Sequence, residues 1–331
     1  ITTQPANHTI CAGSSVSFAA AASGTPVPTV QWHVSNDGGT TWNNISGATT
    51  ATYTFTAVAG DNGKRYRAVF TNTAGSATSS AAILTVNTAP VVTTQPTNLT
   101  VTYGVPSATF SAAASGTSPS IQWRRSTNGT TWELISGATS TNLTIVNPTV
   151  LMSGNQFRAE FSNVCGTAIS SAATLTVNKA ETSTTVTCPS NVTYNGSEQT
   201  PCTASVAGPG GLDQTLTVSY QDNVNAGTAI ASASYTGGAN WLHSSDSKTF
   251  TIDKAETTTT VTCPANVTYN GSEQTPCTAS VTGPGGLDQA LTVSYQDNVN
   301  AGTATASASY AGGANLLSSN DSKTFIIDKA E

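Results

Sequence analysis

The stretch TCPSNVTYNGSEQTPCTASV at 187–206 returns almost letter for letter at 262–281 as TCPANVTYNGSEQTPCTASV. A fixed spacing of this kind reveals the folding unit directly, because every copy has to bury the same apolar face in the same way. The tripeptide KAE marks the same period: it stands at 179–181, 254–256 and 329–331, 75 residues apart each time. Its third occurrence reads as the opening of a further copy, so these 331 residues are expected to be a window onto a longer array. The first 178 residues repeat more loosely. VQWHVSNDGGTTWNNISGATT at 30–50 matches IQWRRSTNGTTWELISGATS at 121–140, and YRAVFTNTAGSATSSAAILTV at 66–86 matches FRAEFSNVCGTAISSAATLTV at 157–177. Self-similarity therefore predicts four units, 1–88, 89–178, 179–255 and 256–331.

Within the units, segments such as SVSFAA and ATYTFTAV alternate apolar and polar residues between Gly, Asn and Asp turns. Turns about every eight to twelve residues are the signature of an antiparallel sandwich. The expected fold class is all-β, with four tandem β-sandwich domains arranged as an elongated rod. Strands of ordinary length and rise make each sandwich about 35–40 Å long, so four in line would reach roughly 150 Å.

Composition narrows the partners. Only 8% of residues are charged, less than a disordered chain usually carries. The net charge of -6 leaves no basic stripe for phosphates, so nucleic acid is an unexpected partner. No apolar run approaches the roughly 18 residues that span a bilayer, so no membrane insertion is expected in this segment. No signal peptide opens the sequence, an absence that says little about export in an excerpt.

The cysteines say more. Cys188 and Cys202 have 13 residues between them, as do Cys263 and Cys277, and each pair flanks the turn-like TYNGSEQTP. Zinc sites bring cysteines closer together and add further Cys or His ligands, which neither copy has. The spacing predicts two local disulfides, Cys188–Cys202 and Cys263–Cys277, against the alternative of free thiols. Each closes a loop of about 15 residues, worth about 3 kcal/mol in chain entropy, and implies an oxidising, extracellular or cell-surface location.

Residues 1–178 resemble bacterial immunoglobulin-like domains, over about 90 residues twice. Trp32 and Trp123 occupy the place of the core tryptophan on the third strand, and DNGKRY at 61–66 is similar to the corner at which a tyrosine hydroxyl ties the entry of the sixth strand. Phe18 with Ala68, and Phe110 with Ala159, stand where antibody domains carry bridging cysteines, so an apolar core is expected in place of that cross-link. Phe157 replaces Tyr66 in the second unit, which removes the corner hydroxyl. The resemblance places Cys11 near the turn after the first strand, at the C-terminal pole of its domain. It places Cys165 in the hairpin of the last two strands, at the pole facing the preceding domain, while Tyr103 and Ala74 stand near the corresponding places. An interdomain disulfide, Cys11–Cys165, is the expectation; separate thiols, or bonds to neighbours outside the sequence, are the alternatives. Residues 179–331 resemble the short immunoglobulin-like and MBG-type repeats found in tandem in long bacterial surface proteins, through GPGGLDQ, LTVSYQDNVNAGTA, ASASY and SKTF.

Chemistry is sparse. His8, His33 and His243 lack partner patterns, and His33, next to core Trp32, should point outward as a surface residue. Asp213 with Asp222, and their copies Asp288 with Asp297, read as solvated turn residues, since nothing builds the cleft that a pair of catalytic carboxylates needs. SNDGGTTW at 35–42, with Asn36 and Asp37, reads as a hairpin turn rather than a calcium loop. TTTT at 257–260 is ordinary wet-face strand composition rather than an ice-ordering array. No enzyme activity, metal or cofactor is expected. Trp241, Trp42 and Trp132 are candidate sugar or protein contacts, although Leu316 at the place of Trp241 suits an apolar plug equally well. Glycosylation acceptor patterns fall at Asn7, Asn44, Asn98, Asn128, Asn142, Asn191, Asn195, Asn266, Asn270 and Asn320. The expected function is a structural spacer or stalk segment of a long extracellular, bacterial surface or filament protein, with neighbouring repeats as partners. The alternative is an adhesin module binding a cell-surface glycan or protein through loops at the sandwich poles.

Overall fold

The computed structural model describes residues 1–331 and is all-β, with two short 3-10 turns, Ala59–Asp61 and Val150–Met152, as its only helical turns. The chain divides into two compact units, Ile1–Asn178 and Lys179–Glu331.

The first unit contains two sandwiches. In the first, Thr29–Ser35 pairs antiparallel with Arg65–Asn72, whose other edge takes Gly75–Thr78 and then Ala82–Asn87. His8–Cys11 runs parallel to Ala82–Asn87 and closes that sheet. The facing sheet is the pair Ser15–Ala19 and Thr52–Thr56. The second sandwich repeats this plan, with Ser120–Ser126 on Gln156–Asn163, Leu99–Thr102 parallel to Ala173–Asn178, and Ser107–Ser111 on Asn142–Val146. Period-two alternation makes these strands: RYRAVFTN buries Tyr66, Ala68 and Phe70 and leaves Arg65, Arg67 and Val69 on the outer side.

Trp32 and Trp123 are fully buried and stand opposite Ala68 and Ala159, whose small side chains make room for the indoles. Each indole N–H still finds an acceptor, Thr50 O at 2.9 Å and Ser140 O at 2.8 Å, so burial leaves no donor unpaired. Phe18 stacks on Tyr66 at 4.6 Å between ring centres, and Phe110 meets Phe157 at 4.9 Å. At the corner, Tyr66 contributes its ring to the core. The hydrogen bonds there belong to Asp61, which accepts from Val58 N–H and Lys64, and to Asn62, which accepts from Val86 N–H. Ser153 accepts from Val177 N–H in the second sandwich, so the corner remains tied beside Phe157.

In the second unit each repeat packs a three-stranded sheet on a four-stranded one. The first sheet of repeat three is Ser183–Thr187, Thr203–Gly208 and Leu212–Leu216. The second is Asn191–Thr193, Ser244–Asp253, Gly227–Tyr235 and Ser219–Gln221. Repeat four has the same plan. The sheets are laced at one seam by polar groups: Asp246 accepts from Val186 N–H, and Thr184 shares a hydrogen bond with Ser244. The cores are thin. In repeat three the fully packed cluster is Val186, Cys202, Phe250 and Ile252 with Ala204, Ala229, Ala231 and Ala233.

Candidate functional site

A disulfide and a set of hydrogen bonds join the two sandwiches of the first unit where they meet. Cys11 ends the strand that runs parallel to Ala82–Asn87 and stands opposite Asn87, so strand pairing carries its thiol to the pole next to the linker. Cys165 occupies the tight turn between Gln156–Asn163 and Gly166–Ile169, where its N–H donates to Asn163 Oδ1 at 2.8 Å. The two are joined by a disulfide with Cα atoms 5.6 Å apart, across a sequence separation of 154. Thr102, which pairs with Asn178, holds the place of Cys11 in the second sandwich, one residue before Tyr103. Ala74, whose N–H donates to Asn72, holds that of Cys165 in the first.

Hydrogen bonds reinforce the joint. Asn163 Nδ2 donates to Thr88 O and to Thr117 O, both at 2.8 Å. Thr117 N–H donates to Thr88 O at 3.1 Å, and Thr88 N–H returns a bond to Thr117 Oγ1 at 2.9 Å. Gly116 is required here. At φ +118° it lies so close to the linker that a Cβ would come 2.8 Å from Ala89 O. The linker after Asn87 is therefore fastened to the second sandwich by side chain, backbone and disulfide together. Asn163 escapes sequence reasoning, because its counterpart Asn72 serves its own domain, donating to Pro26 O.

The other cysteines pair within their repeats, Cys188 with Cys202 and Cys263 with Cys277, each with Cα atoms 4.3 Å apart. Cys202 and Cys277 sit in the cores, and Tyr220 and Tyr295 hydroxyls bridge the N–H and C=O of those two residues.

The three candidate contact tryptophans each commit a face or an edge to the protein. The Arg67 guanidinium lies 4.0 Å over the Trp42 ring, and that of Arg158 lies 4.2 Å over Trp132. Trp42 also donates its N–H to Gly39 O, within its own hairpin. Trp241 donates to Pro209 O, and its ring lies so close to Gly208 and Gly238 that a Cβ at either would come within 3.4 Å and 3.1 Å of it. Its backbone bridges Ala180, as that of Leu316 bridges Ala255.

Beside Trp132, Glu160 accepts from both Arg124 and Arg158. Burial pushes its carboxyl pKa up, but those bonds and the two positive charges outweigh it and hold the group below its ordinary range. In the first sandwich Val69 and His33 stand at the positions of Glu160 and Arg124. His33 is half-buried, with Nδ1 inaccessible, and not the open surface residue that alternation implies. Burial first, and then the charge of its cross-strand neighbour Arg67, lowers its pKa.

Asp37 closes its hairpin by accepting from the Thr41 hydroxyl, from the N–H groups of Thr40 and Thr41, and from Ser35. Those donors, Thr41 foremost, hold its pKa far below the usual carboxylate range. Nowhere do three His, Cys, Asp or Glu side chains converge as a metal would require. Asp222 and Asp297 sit at left-handed turn positions, φ +57° and +56°. An open groove of about 590 Å³ lies between the sheets of repeat four, lined by Gln289, Thr292, Ser294, Ser307 and Ser309. Its single carboxylate, Asp321, is engaged by Val261 N–H. All ten glycosylation-pattern asparagines are exposed. Asn7 and Asn98 accept from Ile83 N–H and Thr174 N–H, while the amides of Asn128, Asn191 and Asn266 donate to Thr131, Asp253 and Asp328.

The fold and its joint thus define a tandem array of immunoglobulin-like sandwiches. The chain belongs to the family described as Domain of unknown function (DUF8696), whose model matches residues 2–88 and 91–179. It is 44% identical over 181 residues to Endoglucanase C of Cellulomonas fimi, a match covering 54% of this chain and 16% of that protein. Among solved structures, the I-band fragment I67–I69 from titin is 16% identical with a TM-score of 0.43, covering 100% of this chain and 98% of that one. Drosophila OTK extracellular domains 3–5 are 20% identical with a TM-score of 0.38, covering 53% and 60%. No helix of the chain is long and apolar enough to cross a membrane, and three disulfides are the mark of an oxidising, extracytoplasmic compartment.

Proposed function

We propose that the chain is a non-catalytic spacer segment of a longer extracellular, bacterial surface or filament protein, built to carry tension from one end of the segment to the other. The observation that carries this reading is the covalent route through the first unit. Tension entering at Ile1 passes along the strand His8–Cys11, crosses the disulfide to Cys165, and leaves along Gly166–Ile169 and Ala173–Asn178. Residues between the two cysteines, which include most of both cores, lie off that route. In the second unit the two local bridges shield 14 further steps of chain each. The match to Endoglucanase C supports a modular role, since the shared segment is a small share of a much longer bacterial protein. The commitment of Trp42, Trp132 and Trp241 to internal contacts also favours a spacer over loops displayed for a ligand.

Single-molecule stretching from Ile1 to Glu331 tests this reading. With the bridge intact, unfolding of the first unit releases only the residues outside it. The Cys11→Ser/Cys165→Ser variant should release an additional 500 Å or so, from 154 steps of chain at about 3.3–3.6 Å each. Equal release from both proteins would show that tension does not travel through the bridge, and the spacer reading would fall. A binding module would instead show retention on a glycan or protein ligand that substitution of Trp42, Trp132 or Trp241 abolishes.

A further inference from the structure

The second unit holds two copies of one repeat, and the contact between them uses both poles. Repeat three presents Tyr194, Asn195 and Gly196 at its C-terminal pole, and the turn Gly283–Gly286 of repeat four seats between them. The fit is close: a Cβ on Gly196 would lie 2.5 Å from Gly285 Cα, and one on Gly285 would lie 2.5 Å from the Tyr194 hydroxyl. A second contact lies alongside. Asn315 Oδ1 accepts from Ala226 N–H at 2.8 Å, and Asn315 Nδ2 donates to Asn225 Oδ1 at 2.9 Å. The donor face thus consists of a glycine turn and one asparagine, and the receiving face of a Tyr-Asn-Gly turn and an Asn-Ala step.

Repeat four carries the same receiving face on its own C-terminal pole, as Tyr269, Asn270 and Gly271 with Asn300 and Ala301. There it is open. Tyr269 is 38% exposed, whereas Tyr194 is half-buried, and Ala301 is exposed where Ala226 is half-buried. An added Cβ on Gly271 meets nothing within 4 Å, against 2.5 Å at Gly196, although the backbone is the same, φ +79° and +83°. Two identical surfaces, one filled by a repeat of known sequence and one bare, identify the occupant of the second.

We infer that the C-terminal pole of repeat four is a docking site for a further repeat of this same type. The incoming repeat seats its Gly-Pro-Gly-Gly turn between Tyr269 and Gly271, and its asparagine amide oxygen accepts from Ala301 N–H. The occupant is recognised by a Cβ-free turn with an asparagine beside it, a combination the receiving face can test sterically and by hydrogen bonding. The result is a heterologous contact that propagates in one direction, each repeat being receiver to the next and donor to the last. The inference deepens the spacer reading by naming a partner, yet it stands apart from the tension route, which lies in the first unit.

The test appends residues 257–331 after Glu331, which preserves the 75-residue spacing, and measures amide hydrogen exchange. In the 331-residue protein, Ala226 N–H should exchange slower than Ala301 N–H by about tenfold, as befits a bonded and an unbonded amide. In the extended protein Ala301 should slow by a similar factor. Replacing the counterpart of Asn315 in the added copy by Ala should return it to the fast rate, just as Asn315→Ala releases Ala226. Gly196→Ala and Gly271→Ala supply a second comparison. Both strain the same turn, but only Gly196→Ala should speed exchange at Ala226, and Gly271→Ala should affect Ala301 only in the extended protein. An Ala301 amide that stays fast in the extended protein, or an added copy that fails to fold on this pole, overturns the inference. Neither result alters the stretching behaviour of the first unit, so the two readings fail independently.

Discussion

Removing the local bridge of repeat three, Cys188→Ala with Cys202→Ala, should unfold that repeat selectively. Its fully packed cluster has eight residues, four of them alanines, so the apolar area set against chain entropy is small. The bridge spans a sequence separation of 14, and closing a loop of that size lowers the entropy of the unfolded chain by the equivalent of about 3 kcal/mol. For a domain of this size each kcal/mol corresponds to roughly 4–8 °C in melting temperature, so the expected fall is about 12–24 °C. Alanine leaves the backbone clamp intact, because Tyr220 bonds the N–H and C=O of residue 202 and not its sulfur, so the loss reports the bridge itself. Thermal unfolding monitored by hydrogen exchange, peptide by peptide, separates repeat three from repeat four, whose Cys263–Cys277 bridge remains. The mirror variant, Cys263→Ala with Cys277→Ala, should lose a similar amount, because its loop is the same length. A fall of less than about 4 °C would show that the thin core holds the repeat unaided, and the entropic account would be wrong.

Three further outcomes are expected. Glu160→Gln should cost the second sandwich about 1–2 kcal/mol at neutral pH by removing two charge-assisted hydrogen bonds. Because the folded-state pKa of Glu160 is depressed, its contribution is present above the ordinary carboxyl value of 4.5 and fades as pH falls through the lowered one. Urea midpoints at pH 7 and pH 3 should therefore differ less in the variant than in the wild type, and equal differences would refute the assignment. Asn163→Ala removes the two donors that hold Thr88 O and Thr117 O, so exchange at the Thr117 amide should accelerate about tenfold while the cores of both sandwiches stay protected. Trp241→Ala should destabilise repeat three by about 2 kcal/mol, whereas Trp241→Leu, the residue repeat four uses as Leu316, should cost less than about 1.5 kcal/mol; equal losses on chemical denaturation would mean that the ring does not fill the gap over Gly208 and Gly238.

Much of the fold is local in origin and therefore legible in the sequence. Alternation places Tyr66, Ala68 and Phe70 inward and Arg65, Arg67 and Val69 outward whatever the topology, since successive side chains of a strand point to opposite faces. The spacing between Cys188 and Cys202 is short enough, with a turn between them, for the two thiols to meet without help from the rest of the chain. Near-identical repetition likewise carries the plan of repeat three into repeat four. Other features need the assembled sheets. Parallel pairing of His8–Cys11 with Ala82–Asn87 is what delivers Cys11 to the pole where Cys165 waits, 154 residues later. The partners of Trp42 and Trp132 are arginines brought across from another strand, and strand register is what sets half-buried His33 opposite the charge of Arg67. The seating of Gly285 between Tyr194 and Gly196 leaves no trace in either stretch taken alone. Periodicity and short spacing determine which face a residue takes and which neighbours along the chain it meets. Contacts between residues far apart in the chain depend on strand order and register, which the packing of the whole domain decides.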